Sequence, residues 1–270
     1  MRPKDLFSII PEIPHYFDQP FSDPTLMPTL LLSRFARKEV KVCLSGDGGD
    51  ELFFGYVFQQ MLLHLKPLLY CPTSLRQGLF KFFHQLLGVI PMALPLRVQQ
   101  LRKFCEIFQF SNLSEFFQYF IGTIGPCHFG RIAGLLKTPP PLPSTLYNPM
   151  LEEVASLPWE EKIEQVFFRT FLPDTVLMKT DRASMAASLE SRVPFLDHAL
   201  LDLSSSLSFN LKYQPRGLLG GQKKYLLREL LRKHLPASIV DRRKKGFSIP
   251  LRDWLRFDLK FLLDEYLAPE

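Results

Sequence analysis

The 270-residue chain has little cysteine. Its four, Cys43, Cys71, Cys105 and Cys127, stand 28, 34 and 22 residues apart with no Cys-x-x-Cys pair, a spacing that suits neither a zinc site nor a disulfide framework. Histidine offers no substitute, because His15, His64, His84, His128, His198 and His234 lack ligand spacing. Long apolar runs are missing too: the longest, Leu86 to Leu96, is about half the ~20 residues of a spanning helix and contains Pro91 and Pro95. No apolar segment follows the charges of Arg2, Lys4 and Asp5. The expectation is no secretory signal, no membrane association and a reducing cytoplasm. Charged residues at 22% against 46% hydrophobic exclude disorder, and composition excludes collagen and coiled coil. The net charge of +6 suits anionic ligands but is too diffuse to mark a nucleic-acid surface, and none is expected.

What the chain has in quantity is phenylalanine, 25 residues, most of them between Phe53 and Phe168 at helical spacing. Helices packing on helices are expected there, cut by Pro67, Pro72, Pro91, Pro95, Gly122, Gly125 and Pro126. Pro139-Pro140-Pro141-Leu142-Pro143 reads as an extended surface linker. Further helical patterns run from Trp159 to Phe171, Leu177 to Leu189 and Lys223 to Leu235, the last with Leu226, Leu227, Leu230 and Leu231 on one face. Upstream, Glu39 to Ser45 alternates β-branched residues and then meets a Gly/Asp cluster, the pattern of a short strand entering a turn. Strand, loop and helix in that order build parallel α/β sheets. The fold class expected is therefore α/β and predominantly helical, with only a short piece of parallel sheet. Three regions follow: a strand-loop-helix region over 1–56, a helical region over 57–155 carrying the linker, and a helical C-terminal region over 156–270.

The sharpest local signal is Leu44-Ser45-Gly46-Asp47-Gly48-Gly49-Asp50-Glu51. A glycine-rich turn at the carboxyl end of a strand lets backbone N–H groups approach a phosphate. Its carboxylates would repel that phosphate unless a cation lies between them, so Asp50 and Glu51 beside a nucleotide imply Mg²⁺. The alternative is a plain turn, with glycine supplying positive φ and aspartate capping the next helix. Lys179, Asp181, Arg182, Glu190 and Arg192 form a second group, set among small and apolar residues. Burial there requires pairing with one another or with a charged ligand, and a salt-bridge network between helices is the structural alternative for Glu190 and Arg192. Third, Arg242-Arg243-Lys244-Lys245 precedes Gly246-Phe247-Ser248-Ile249-Pro250. This reads as a structured loop from which one lysine meets phosphate as a compact charge, with a nucleic-acid patch as the other reading. Position alone does not choose between Lys244 and Lys245.

With Asp18-Gln19-Pro20-Phe21-Ser22-Asp23-Pro24 and Leu172-Pro173-Asp174, these segments resemble, in the same order, the synthetase domain of glutamine-hydrolysing asparagine synthetases. Those proteins belong to the PP-loop ATP pyrophosphatase superfamily. The resemblance spans nearly the whole chain, residues 57–155 by character rather than by motif. It implies an ATP-dependent carbon–nitrogen ligase in which the β-carboxylate of aspartate is adenylated with loss of pyrophosphate, and ammonia then displaces AMP to give asparagine. ATP and Mg²⁺ are the implied cofactors, the metal screening the departing pyrophosphate. By the same resemblance Ser45, Gly46 and Gly48 contact the nucleotide, Asp50 ligates magnesium, and Asp47 is the acidic group beside the reacting acyl centre. Lys244 stabilises the adenylated intermediate. Lys179, Asp181 and Arg182 line the aspartate end, and Glu51, Glu190 and Arg192 support the site.

Three departures qualify the resemblance. The family's pyrophosphate loop, Ser-Gly-Gly-x-Asp-Ser-Ser, does not occur in the sequence, and position 2 is Arg2 where the glutaminase domain exposes a cysteine. The expectation is a C-terminal part of a synthetase without a glutaminase domain, its phosphate loop supplied by an upstream segment or a partner chain. Phe54 stands where relatives commonly have glycine, which implies local repacking. Two other readings stay open. One is a different carboxylate-adenylating amide ligase such as a β-lactam synthetase, against which Asp47 counts because those enzymes carry tyrosine there. The other is an inactive remnant acting as a binding or scaffold protein, which the retained Asp47, Asp50 and Lys244 disfavour.

Overall fold

A computed structural model describes residues 5, 8–19, 21, 23–88, 110–121, 147–217, 220–242 and 249–266. The linker at 139–143, Cys105, Cys127, Lys244 and Lys245 lie outside the described residues. In chain order the principal elements are α1 Leu26–Ala36, β1 Val42–Leu44, α2 Gly49–Leu52, α3 Val57–His64, α4 Thr73–Gly88, α5 Leu113–Ile121, α6 Trp159–Val166, α7 Met178–Met185, β2 Glu190–Arg192, α8 His198–Ser206, α9 Phe209–Lys212, β3 Tyr213–Arg216, β4 Gly220–Lys223, α10 Tyr225–Arg232, α11 Leu251–Arg256 and α12 Lys260–Tyr266. The chain divides into two compact units, one of Met1–Leu52, Thr170–Leu207 and Leu226–Glu270, the other of Phe53–Arg169 and Ser208–Tyr225. Among the described residues no helix is long and apolar enough to cross a membrane.

The first unit is organised on α1. Its chain enters through Asp23, whose Oδ1 accepts from the Thr25 amide at 2.8 Å and the Thr25 hydroxyl at 2.7 Å, an Asx-type turn that starts the helix. Leu26 and Leu30, one turn apart, then reach a core with Ile9, Phe17 and Ala183 of α7. The strand expected before the glycine cluster is β1. It pairs in parallel with β2, with Val42 opposite Glu190, Cys43 opposite Ser191 and Leu44 opposite Arg192. This short parallel sheet in a helical chain is the architecture the sequence implied.

Two local readings change. Glu190 and Arg192 do pair, Arg192 Nε donating to Glu190 Oε1 at 2.8 Å, but along one strand rather than between helices. Residues i and i+2 of a strand share a face, and both side chains are exposed, so the pair contributes little to stability. The helix read as ending at Leu189 stops at Met185. Ser188 takes the left-handed conformation at φ 54°, and the Leu189 amide closes back onto the Ser184 carbonyl at 2.9 Å, the Schellman way of ending a helix. Before α7, residues Phe167–Leu177 form a π-helical stretch containing Pro173, whose missing N–H interrupts an α-helical ladder. In α10 the leucine stripe exists, but Leu230 and Leu231 are exposed.

In the second unit the phenylalanines pack as expected. Phe116 and Phe117 of α5 are fully buried against Trp159 of α6, with ring centroids 6.3 and 5.7 Å away. The Trp159 indole donates to the Leu62 carbonyl of α3 at 3.1 Å, so the ring's polar edge is satisfied inside the core. Lys212 and Glu164 form a buried pair at 2.8 Å. Burial pushes the Glu164 carboxyl above its ordinary value, outweighing the pull of the Lys212 ammonium. The strands β3 and β4 pair antiparallel, Tyr213 opposite Lys223.

Candidate functional site

Because β1 and β2 are parallel, their carboxyl ends lie at the same edge, and the acidic glycine loop leaves from that edge. The ladder continues one step beyond the strands, the Ser45 amide donating to the Arg192 carbonyl at 2.8 Å. The loop then turns at Gly48, whose φ is +84°. A side chain at Gly48 would also strike Leu196, a Cβ there lying 2.6 Å from Leu196 Cδ2. Glycine is therefore required twice over, by backbone conformation and by contact. Gly46 is the opposite case: it is exposed, with nothing within 4 Å of a built Cβ. Of the glycines assigned to a nucleotide, Gly46 faces open space and Gly48 is packed under the segment that follows β2.

Asp47 is held by hydroxyls. Its Oδ2 accepts from Ser45 Oγ at 2.7 Å and from Thr180 Oγ1 at 2.8 Å, while its own amide donates to Ser45 Oγ at 3.1 Å. A carboxylate fixed through one oxygen presents the other, Oδ1, in a defined direction. It can accept a proton or a hydrogen bond there. Asp50 is half-buried in the first turn of α2, and Glu51 beside it is buried. Among the described residues no group of three or more His, Cys, Asp or Glu side chains is arranged to hold a metal. Asp50 as donor fits a Mg²⁺ ion carried in on nucleotide phosphates, which needs only one or two carboxylates, better than an ion caged by protein alone.

The second group of charges divides along α7. Lys179 turns to Asp23 Oδ2 at 3.0 Å and Thr25 Oγ1 at 2.8 Å. Burial raises the Asp23 carboxyl, but the Thr25 amide and hydroxyl and the Lys179 ammonium outweigh it and hold the group below its ordinary value. Arg182, one turn further on the same side, lies 3.8 Å from Asp18 in an exposed pair, and Asp181 is exposed. Thr180, between them, is the residue that reaches the loop. The sequence reading gave no role to Thr180, Asp23 or Thr25. The signal for the last two was the Asp-Pro-Thr turn before an apolar run; Thr180 carried none. Lys244 lies outside the described residues.

A mostly helical α/β chain with an acidic glycine loop at the carboxyl end of a parallel strand pair is the class that fold and loop define. The model of the asparagine synthase family matches residues 1–270, and the chain belongs to that family. It is 31% identical over 269 residues to asparagine synthetase (glutamine-hydrolyzing) 1 of Bacillus subtilis strain 168, covering 96% of this chain and 38% of the relative. A putative asparagine synthetase (glutamine-hydrolyzing) of Mycobacterium tuberculosis strain H37Rv is 32% identical over 254 residues, 93% of this chain and 36% of the relative. Amidase chyE of Penicillium rubens is 24% identical over 253 residues, 87% of this chain and 36% of the relative. The chain thus spans less than two fifths of the length of these relatives. No solved structure matches it.

Proposed function

We propose that this chain is the carboxylate-activating part of an ATP-dependent amide ligase of the PP-loop type that converts aspartate to asparagine. A carboxylate is a poor electrophile, so a β-carboxylate oxygen first attacks the α-phosphorus of ATP and pyrophosphate leaves. Ammonia then attacks the acyl carbon of the β-aspartyl adenylate, gives up a proton, and expels AMP. In this reading Ser45 and Gly46 bind the nucleotide at the strand's end, and Asp47 presents Oδ1 beside the acyl centre as a proton acceptor for the entering ammonia. Lys244 stabilises the charge on the adenylate. Asp50 would hold a Mg²⁺ ion, which when bound neutralises the phosphate oxygens. In this reading ammonia is the nitrogen donor, drawn from glutamine.

The observation that carries this reading is the Asp47 carboxylate pinned at the carboxyl end of a parallel strand in a chain of the asparagine synthase family. A different carboxylate acceptor is the second reading, favoured by the similarity to the Penicillium amidase over 87% of the chain. Soaking crystals of the protein with AMP and Mg²⁺ tests the site. Density for the nucleotide against Ser45 to Asp50 is the expected result; density only elsewhere would remove the assignment.

A further inference from the structure

We infer that Thr180 is a positioning residue that aims the Asp47 carboxylate, an inference that rests on the catalytic reading of Asp47 above. Two hydroxyls donate to the same oxygen, Asp47 Oδ2, and they differ in origin. Ser45 belongs to the turn itself: its Oγ donates to Oδ2 and accepts from the Asp47 amide, a closed local set two residues wide. Such a set fixes the turn but moves with it. Thr180 comes from 133 residues away on α7, so its bond at 2.8 Å ties the carboxylate to a different part of the fold.

The hydroxyl of Thr180 donates out of its helix. Helical Ser and Thr commonly donate back to the carbonyl three or four residues earlier. Thr29 does so to Thr25, Ser184 to Asp181, Ser205 to Leu201 and Ser206 to Leu203. Thr180 instead spends its one proton on Asp47. The helix that carries it is braced on the rest of the fold. Ala183, one turn on, is buried against Ile9, Phe17, Leu26 and Leu30, and Lys179 is tied to Asp23 and Thr25. Past the helix, Arg37 Nε holds the Ser188 carbonyl at 2.9 Å. With α7 fixed in rotation, the Thr180 hydroxyl is a donor set in place by folding, before any ligand arrives. Among the described residues no donor meets Asp47 Oδ1, and that is the oxygen left to face a substrate.

Thr180→Val keeps the branched shape and removes the donor; Thr180→Ser keeps the donor. In the native protein, with ATP, Mg²⁺, aspartate and ammonia, Thr180→Val is expected to lower kcat for pyrophosphate release by about 10-fold or more, since small misplacements of a reacting group are costly. KM for ATP should stay within about 2-fold, because uniform binding is untouched. Thr180→Ser should restore the rate. A loss in KM alone, or no rescue by Thr180→Ser, would overturn the inference. If native protein and Asp47→Ala alike release no pyrophosphate, the catalytic reading fails and the positioning claim is decided by crystal structures of the two Thr180 variants. Asp47 should turn or lose order in Thr180→Val and hold its place in Thr180→Ser. An unmoved carboxylate in both overturns it.

Discussion

A phenylalanine at φ 54° is held against its own backbone preference, and Phe54 sits there with none of its side chain exposed. Its ring meets Phe209 edge-on at 4.9 Å and Tyr213 at 5.3 Å. The glycine that the family resemblance led one to expect at this position would suit the left-handed backbone without strain. The aromatic side chain gives that up for burial. Phe54→Ala should cost about 3–5 kcal/mol through the cavity it leaves. Phe54→Gly should cost about 1–2 kcal/mol less than alanine, because it also relieves the left-handed strain. Denaturant unfolding of both variants checks the order. A glycine variant as stable as the native protein would mean the ring's burial does no more than offset the strain.

At the scale of elements, α7 is the part that joins the entry turn of α1 to the acidic loop, through Lys179 on one side and Thr180 on the other. The tie through Asp23 has a pH signature. Its carboxyl lies lower in the folded protein than its unfolded value of 3.8, so the stabilisation is complete above that value and is lost as pH falls through the folded one. Asp23→Asn should therefore be less stable than the native protein near pH 6, and the gap should close on acidification below about pH 4. Unfolding curves for the two that run parallel down to about pH 3 would show that the Lys179 contact is not acting through this charge. Elements were legible where local chemistry announced them. β1 had alternation and a glycine cluster after it, whereas α1, with an Asx turn before it, went unread. β2 had neither: its residues Glu190, Ser191 and Arg192 are polar, and their strand conformation comes from pairing with β1 across some 150 residues of chain. The end of α7 was missed because a serine, Ser188, occupies the left-handed position where glycine would have marked the stop.

At the scale of the molecule, the candidate site shows the same division. Residues 44–51 are contiguous, so Ser45, Asp47 and Asp50 could be read as one loop. The contact of Thr180 with Asp47 joins distant segments and carries no sequence signature, and Lys179 turned out to grip Asp23 rather than stand open to a ligand. The alignment with the Bacillus relative covers 96% of this chain and 38% of the relative, so the chemistry proposed for it is that of a part of the relatives' length. The central claim is that Asp47 and its loop serve the activation and amidation of aspartate. The most direct measurement is pyrophosphate release by the protein isolated from its own cells with whatever chains accompany it, supplied with ATP, Mg²⁺, aspartate and ammonia. The account predicts sustained release that requires aspartate and ammonia and falls to no more than a first turnover in Asp47→Ala, because Asp47 serves the ammonia step that frees the site. Release indifferent to aspartate or to Asp47, or none from folded protein that binds the nucleotide, would contradict it.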